Sequence, residues 1–335
     1  LMLGFQGEIH SSPAESDQVI TSPNKLSKFA FSPDGDTLAG ANKDARVTLW
    51  DVGSGEQLST LATHQLGSAV TGLVFSPDGG TLASISQDAI ILWDRASVQP
   101  RRTLQNPTGA TVTDLAFSPD GGLLASVGGD ARMTLWNVAS GVARQLPFSH
   151  PNGVTALVFS PDGTLLASGG KDAHIRLWSV ASGQEHSALL NPTGGAITGL
   201  AFSPDGAILA SASEDARLTL WDTGVGSVKK TLVGHSDAIY GIAFSPDGAV
   251  LASGGKDARI KLWDVASGQE RATLLGPFGA AVIDVVFDSK GDTLASVGED
   301  ARILLWDVAT SRLRQVLAGH DSPVADIAFQ ADRAL

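Results

Sequence analysis

Seven aspartates stand at nearly even intervals along the chain: Asp44, Asp88, Asp130, Asp172, Asp215, Asp257 and Asp300. A carboxylate series of this kind could serve acid catalysis. Histidines His64, His150, His235 and His320 could act as bases or metal ligands. Neither set converges on a catalytic pattern. The sequence contains no G-x-x-x-x-G-K-[ST], no G-x-S-x-G and no H-E-x-x-H, and no G-x-G-x-x-G follows a strand. The segment "PDGD" at Pro33–Asp36 lacks the alternating oxygen ligands of a calcium loop. Each aspartate keeps a fixed place before a tryptophan, which assigns it to a turn. No catalytic residue, metal ligand or cofactor is expected, and the chain does not read as an enzyme.

Two residues after each of these aspartates, Asp88 apart, stands a base: Arg46, Arg132, His174, Arg217, Arg259 or Arg302. Lys43, Lys171 and Lys256 precede three of them. Gathered on one surface, such bases would bind an acidic peptide or a carboxylate. The alternative is pairing with Asp or Glu of the neighbouring repeat, where exposed ion pairs contribute little. Asp114, Asp284 and Asp326 share another slot, three residues before a phenylalanine, as hydrated carboxylates.

The elements that must position these side chains follow from a repeat. Trp50, Trp93, Trp136, Trp178, Trp221, Trp263 and Trp306 are spaced by 42 or 43 residues. In phase with them runs "FSPDG" at Phe31, Phe75, Phe117, Phe159, Phe202 and Phe244, with "FDSKG" at Phe287. Such a period marks repeated supersecondary units. Inside each unit the apolar pattern alternates with period two. Ser-Pro-Asp-Gly makes a turn, "AVLAS" a strand, "GGKDA" a tight turn, "RIKLW" a strand, and "RATLL" another strand. Four short antiparallel strands per repeat cannot bury both faces of a lone sheet. Packing the sheets around an axis buries them against each other.

These motifs resemble the WD40 β-propeller family, and the "FSPDG…LASGG…LWDVASG" style is most similar to prokaryotic members. "WD" occurs at Trp50-Asp51, Trp93-Asp94, Trp221-Asp222, Trp263-Asp264 and Trp306-Asp307, and "GH" at Gly234-His235 and Gly319-His320. The resemblance implies hydrogen-bonded tetrads of His, Ser, Asp and Trp within blades. Carried over, these are His64, Ser84, Asp88 and Trp93; His150, Ser168, Asp172 and Trp178; and His235, Ser253, Asp257 and Trp263. Blades three, five and seven read "NPTG", "NPTG" and "GPFG" where the histidine belongs, so they should rest more on packing, and Asn191→Ala should cost clearly less than His235→Ala. The resemblance also implies a binding surface at the aspartate turns. Tyr240, the chain's one tyrosine, is the candidate anchor, with Arg259, Lys256 and Arg217 around it and Lys171, Arg302, Arg132, Arg46 and Lys43 on the same surface.

The expected architecture is all-β: one closed propeller of four-stranded antiparallel blades, eight favoured over seven, spanning 1–335. The repeats run over about 22–63, 66–105, 108–148, 151–190, 193–233, 236–275 and 278–318. Residues 319–335 and 1–21 share the closing blade. Its third and fourth strands come from 4–21, with Ile9 and Ile20 spaced like Trp50 and Leu61.

The net charge of −12 disfavours a phosphate-backbone partner, so nucleic acid is not expected. No apolar run reaches the roughly eighteen residues of a membrane span. The N-terminal "LMLGFQGEIH" lacks the features of a signal peptide, and a cytoplasmic location with no membrane contact is the expectation. Cysteine is absent, so no disulfide or thiolate metal site contributes. The function that emerges is a non-catalytic protein- or peptide-binding scaffold or sensor module of a larger prokaryotic signalling or regulatory protein. The alternatives are a purely structural unit of an assembly, or a propeller hydrolase with a channel metal.

Overall fold

The structure is a computed structural model that describes residues 2–4, 8–10, 19–21, 26–42, 46–51, 54, 56–62, 69–87, 89–147, 150–300 and 302–317. Their secondary structure is strand and turn throughout. Seven four-stranded antiparallel sheets follow one another along the chain, over 26–62, 72–105, 112–145, 154–190, 197–233, 239–275 and 282–317. They are numbered sheets 1 to 7 below. A three-stranded sheet of Met2–Gly4, Glu8–His10 and Val19–Thr21 precedes them. There Met2 pairs with His10 and Ile9 with Ile20. Contacts divide the chain into two compact units, one holding the described residues through Gln145 and the other Leu146–Val316.

Sheet 6 shows why these residues form these elements. Its strands are Ile239–Phe244, Val250–Gly255, Arg259–Asp264 and Glu270–Leu275. The first turn is built by Ser245, Asp247 and Gly248. Ser245 Oγ accepts from Val250 N at 2.9 Å and donates to Asp247 Oδ1 at 2.6 Å. Gly248 adopts a φ of 71°, which costs glycine nothing. The second turn brings Ala258 N to Gly255 O at 3.1 Å and puts Ala258 at a φ of 61°. This is a type I turn followed by a left-handed residue, a position usually taken by glycine. Ala131, Ala173 and Ala216 sit in the same conformation in sheets 3, 4 and 5. After the third strand, Asp264 Oδ1 accepts from Ser267 N and Oγ at 2.7 and 2.8 Å. The aspartate of "WD" is thus a turn-forming residue.

Burial falls from the second strand outward. Val250–Gly255 is buried at every position, on both faces, whereas Glu270–Leu275 buries only Leu274. Face-to-face packing of sheets produces this gradient. Within the second unit, Trp263 and Ile239 of sheet 6 pack on Leu218, Leu220 and Leu232 of sheet 5. Trp306 of sheet 7 packs likewise on Ile260, Leu262 and Leu274 of sheet 6. In the first unit Trp93 packs on Val47 and Leu49, and Trp136 on Ile90 and Leu92. These four tryptophans thus join their own sheets to the preceding ones, and burial of such a ring is among the larger single contributions to a core.

Candidate functional site

Two buried hydrogen-bond chains run from a loop histidine to the tryptophan. In sheet 6, His235 Nδ1 lies 3.0 Å from Asp257 Oδ1, and Nε2 lies 2.8 Å from Ser253 Oγ. Trp263 Nε1 donates to the same Ser253 Oγ at 2.9 Å. In sheet 4, His150 meets Asp172 at 2.8 Å and Ser168 at 2.9 Å, and Trp178 donates to Ser168 at 3.0 Å. In sheet 6 one assignment of protons satisfies the whole chain: a neutral imidazole donates from Nδ1 to the carboxylate and accepts the serine proton at Nε2. Burial, opposed by the hydrogen bond to aspartate, holds both histidines below their ordinary value and favours that neutral form. Of the third set, Trp93 donates to Ser84 at 2.8 Å. His64 and Asp88 lie outside the described residues, as do Lys43, Asp44, His320 and Asp326.

A base stands near the histidine of each of these chains. Arg176 in sheet 4 bonds Asp172 Oδ2 at 3.1 Å and lies 3.4 Å from Glu185 Oε2. Lys261 in sheet 6 is buried, with Glu270 Oε2 at 2.7 Å and Thr273 Oγ1 at 2.9 Å. Both occupy the strand position two residues before the tryptophan, where other repeats carry Thr48, Ile91, Thr134, Thr219 or Leu304. A cation at a position otherwise filled by such residues was the available signal.

Sheets 3 and 5, expected to rest more on packing, carry a side-chain hydrogen bond at this place. Asn106 Nδ2 donates to Ala110 O at 2.6 Å, and Asn191 Nδ2 to Gly195 O at 2.7 Å. Asn191 is 3% exposed, and Thr193 links its Oδ1 to the Asp215 carboxylate. The "NPTG" loop thus exchanges histidine for an asparagine that bonds its own loop. Trp136, Trp221 and Trp306 keep their serine acceptors at 2.8 to 2.9 Å.

Tyr240 and Lys43 apart, the candidate binding residues lie at the turns between second and third strands, and the ends of fourth strands lie beside them. Tyr240 is half-buried on the first strand of sheet 6. Arg217, Arg259 and Lys171 are exposed. Lys256 lies 3.6 Å from Asp237, Arg132 3.8 Å from Asp130, and Arg302 2.9 Å from Asp300. These ion pairs close within a sheet, and two of them within one turn, rather than reaching the next repeat. A two-residue separation across the turn already places the carboxylate in reach. Arg46 is exposed on its strand. Arg302 also stacks 3.7 Å from the Phe278 ring centroid. Register sets His174 opposite Leu190, Arg217 opposite Val233, and Arg259 opposite Leu275. Those three aliphatic side chains are 57%, 64% and 64% exposed. Sequence reading missed them because each follows a buried leucine on its strand. Asp114 and Asp284 lie on the first strands of sheets 3 and 7, each accepting from the next backbone N–H at 2.8 Å. Among the described residues no group of three or more His, Asp or Glu is placed to hold a metal ion. No helix there is long and apolar enough to cross a membrane.

Repeated antiparallel sheets joined by intervening tryptophans, with His–Ser–Asp–Trp chains inside them, define a β-propeller protein. The model of the IFT122 first β-propeller matches residues 25–224, and that of the WD domain, G-beta repeat, matches 226–264 and 268–307. The chain belongs to the WD40-repeat β-propeller family. The crystal structure of the computationally designed Ika8 protein is 27% identical, with a TM-score of 0.79 over 91% of each chain. The pre-rRNA-processing protein IPI3 of Mycosarcoma maydis is 43% identical over 47 residues, 14% of this chain and 8% of that protein. The matched propeller model and this relative lend no support to the prokaryotic style read from the repeats.

Proposed function

We propose that the chain is a non-catalytic scaffold or sensor module that binds an acidic protein segment or peptide through the turn edge of sheets 4 to 6, as part of a larger signalling or regulatory protein. The observation that carries this reading is the register of His174 with Leu190, Arg217 with Val233 and Arg259 with Leu275. Three successive sheets present the same couple, a basic or titratable ring or fork beside an exposed aliphatic side chain. A segment alternating acidic and apolar residues complements it, and several weak contacts made together give avidity. Tyr240 is the aromatic anchor of the proposal and Lys256 its neighbour; Lys171 and Arg302 extend the basic surface, and Arg132, Arg46 and Lys43 are the further basic candidates. WD40 propellers generally serve as protein-interaction scaffolds, which is consistent with this assignment.

We also propose eight blades, the last shared between 319–335 and 1–21. Residues 319–335 lie outside the described residues; the pairing of Ile9 with Ile20 in the N-terminal sheet supports this reading.

The binding proposal is tested by affinity enrichment with the wild-type chain and with Tyr240→Ala and Arg259→Glu, followed by titration of the recovered partner. Binding should weaken in both variants and as salt rises, because exposed charges are screened. Unchanged affinity in both would place the binding surface elsewhere.

A further inference from the structure

Sheet 7 has Phe278 nine residues before Phe287, where sheet 6 has His235 nine before Phe244. Beside it lies a cavity of about 20 Å³ whose lining includes Phe278, Ser296, Gly298, Asp300, Arg302 and Trp306. The neighbouring glycines identify this space. A Cβ added to Gly255 of sheet 6 would meet His235 Nδ1 at 2.9 Å. At Gly128 of sheet 3 it would meet Asn106 Nδ2 at 3.1 Å. At Gly298 of sheet 7 it meets Asp300 Oδ1 at 2.9 Å and Ala281 O at 3.2 Å, with no ring or amide nitrogen between them. The cavity therefore lies where the imidazole lies in sheet 6.

Its polar groups are matched to a small guest. Ser296 is 1% exposed and accepts from Trp306 Nε1 at 2.9 Å. The corresponding Ser253 lies 2.8 Å from His235 Nε2. Among the described residues Ser296 has no acceptor for its own proton. Asp300 Oδ2 is held by Arg302 Nη1 at 2.9 Å, and Oδ1 takes only a long bond of 3.3 Å from Arg302 N. A buried donor without a partner costs about 1–3 kcal/mol. A water needs about 10–15 Å³ and two to four polar partners. Both conditions are met, and no organic ligand would fit.

We propose that this cavity is a binding site for one water molecule, which accepts from Ser296 Oγ and donates to the Asp300 carboxylate. The water completes in sheet 7 the chain that histidine completes in sheets 4 and 6. Phe278, with Arg302 stacked on it, flanks the site.

A crystal structure of the wild-type chain at about 1.5 Å would decide the matter. The expected result is one density peak within hydrogen-bond distance of both Ser296 Oγ and an Asp300 oxygen. The absence of a peak there, or a side chain filling the space, would overturn the proposal. Phe278→His provides a second test. An imidazole at that position should displace the water, bond both groups and raise Tm by about 2 °C. Should the variant fail to fold, the wild-type density still decides.

Discussion

Among the described residues, Gly40 leaves the indole N–H of Trp50 buried without an acceptor. The other six tryptophans donate to a serine on the neighbouring strand at 2.8 to 3.0 Å. In sheet 1 that position is Gly40, opposite Thr48 and therefore two residues along from the Trp50 pairing with Leu38. The defect is local, because Trp50 is as buried as its counterparts at 2% exposure. Gly40→Ser should supply the acceptor and relieve the entropic cost of a strand glycine. The expected gain is about 1 kcal/mol. Urea unfolding measures it, and a loss of stability would show that the site has no room for the hydroxyl.

His235→Ala should destabilise by roughly 1–3 kcal/mol, since it strips a partner from both Ser253 and Asp257 in a buried setting. Lys261 then shares its surroundings with a less constrained Asp257. Asn191→Ala should cost about 1–2 kcal/mol, contrary to what the missing histidine suggests, because its amide is buried and bonded to Gly195 O at 2.7 Å. Chemical denaturation of the two variants beside wild type checks both. A neutral Asn191→Ala would mean that the loop needs no side-chain bond.

The contrast between these two residues shows what was legible in the sequence. The repeat length, strand order and turns could be read because Trp, Ser-Pro-Asp-Gly and period-two alternation are local signals. The histidine chains could be read through resemblance, since their members sit at fixed offsets. Asn191 could not, because "NPTG" registers as a loss of histidine and not as a gain of an amide. Arg176 and Lys261 were hidden for another reason. They are strand residues, and only the packing of one sheet on the next shows that a cation there is enclosed. The left-handed Ala258 was equally invisible, because alanine carries no turn signal of its own. The three aliphatic side chains opposite His174, Arg217 and Arg259 required the register itself.

If residues 1–21 complete a closing blade, deleting them should lower Tm and expose strand edges to association. Thermal unfolding and light scattering of the truncated chain test this. A truncated protein with the wild-type Tm and no added scattering would favour seven blades.

The two histidine chains should make stability depend on pH in a particular sense. Burial holds His150 and His235 below their ordinary value of 6.5, and the bonds to Asp172 and Asp257 offset it only in part. Arg176 and Lys261 add positive charge that pushes the same way. Between the lowered folded value and 6.5, the unfolded chain binds more protons than the folded one. Stability therefore rises with pH across that window. It is fully present above 6.5 and declines as the pH falls below it. A second decline lies lower. Burial raises the Asp172 and Asp257 carboxyls, but hydrogen bonds outweigh it and leave both below 3.8. That contribution is present above 3.8 and is lost as the pH falls through the folded values. Tm should thus fall from pH 7 to 5 and fall again below about 4. Replacing both histidines with glutamine should flatten the first step and leave most of the second, to which the bonded turn aspartates such as Asp247 also contribute. A wild-type Tm that stays level between pH 7 and 5 would show that the imidazoles accept protons inside the folded sheets as readily as in water.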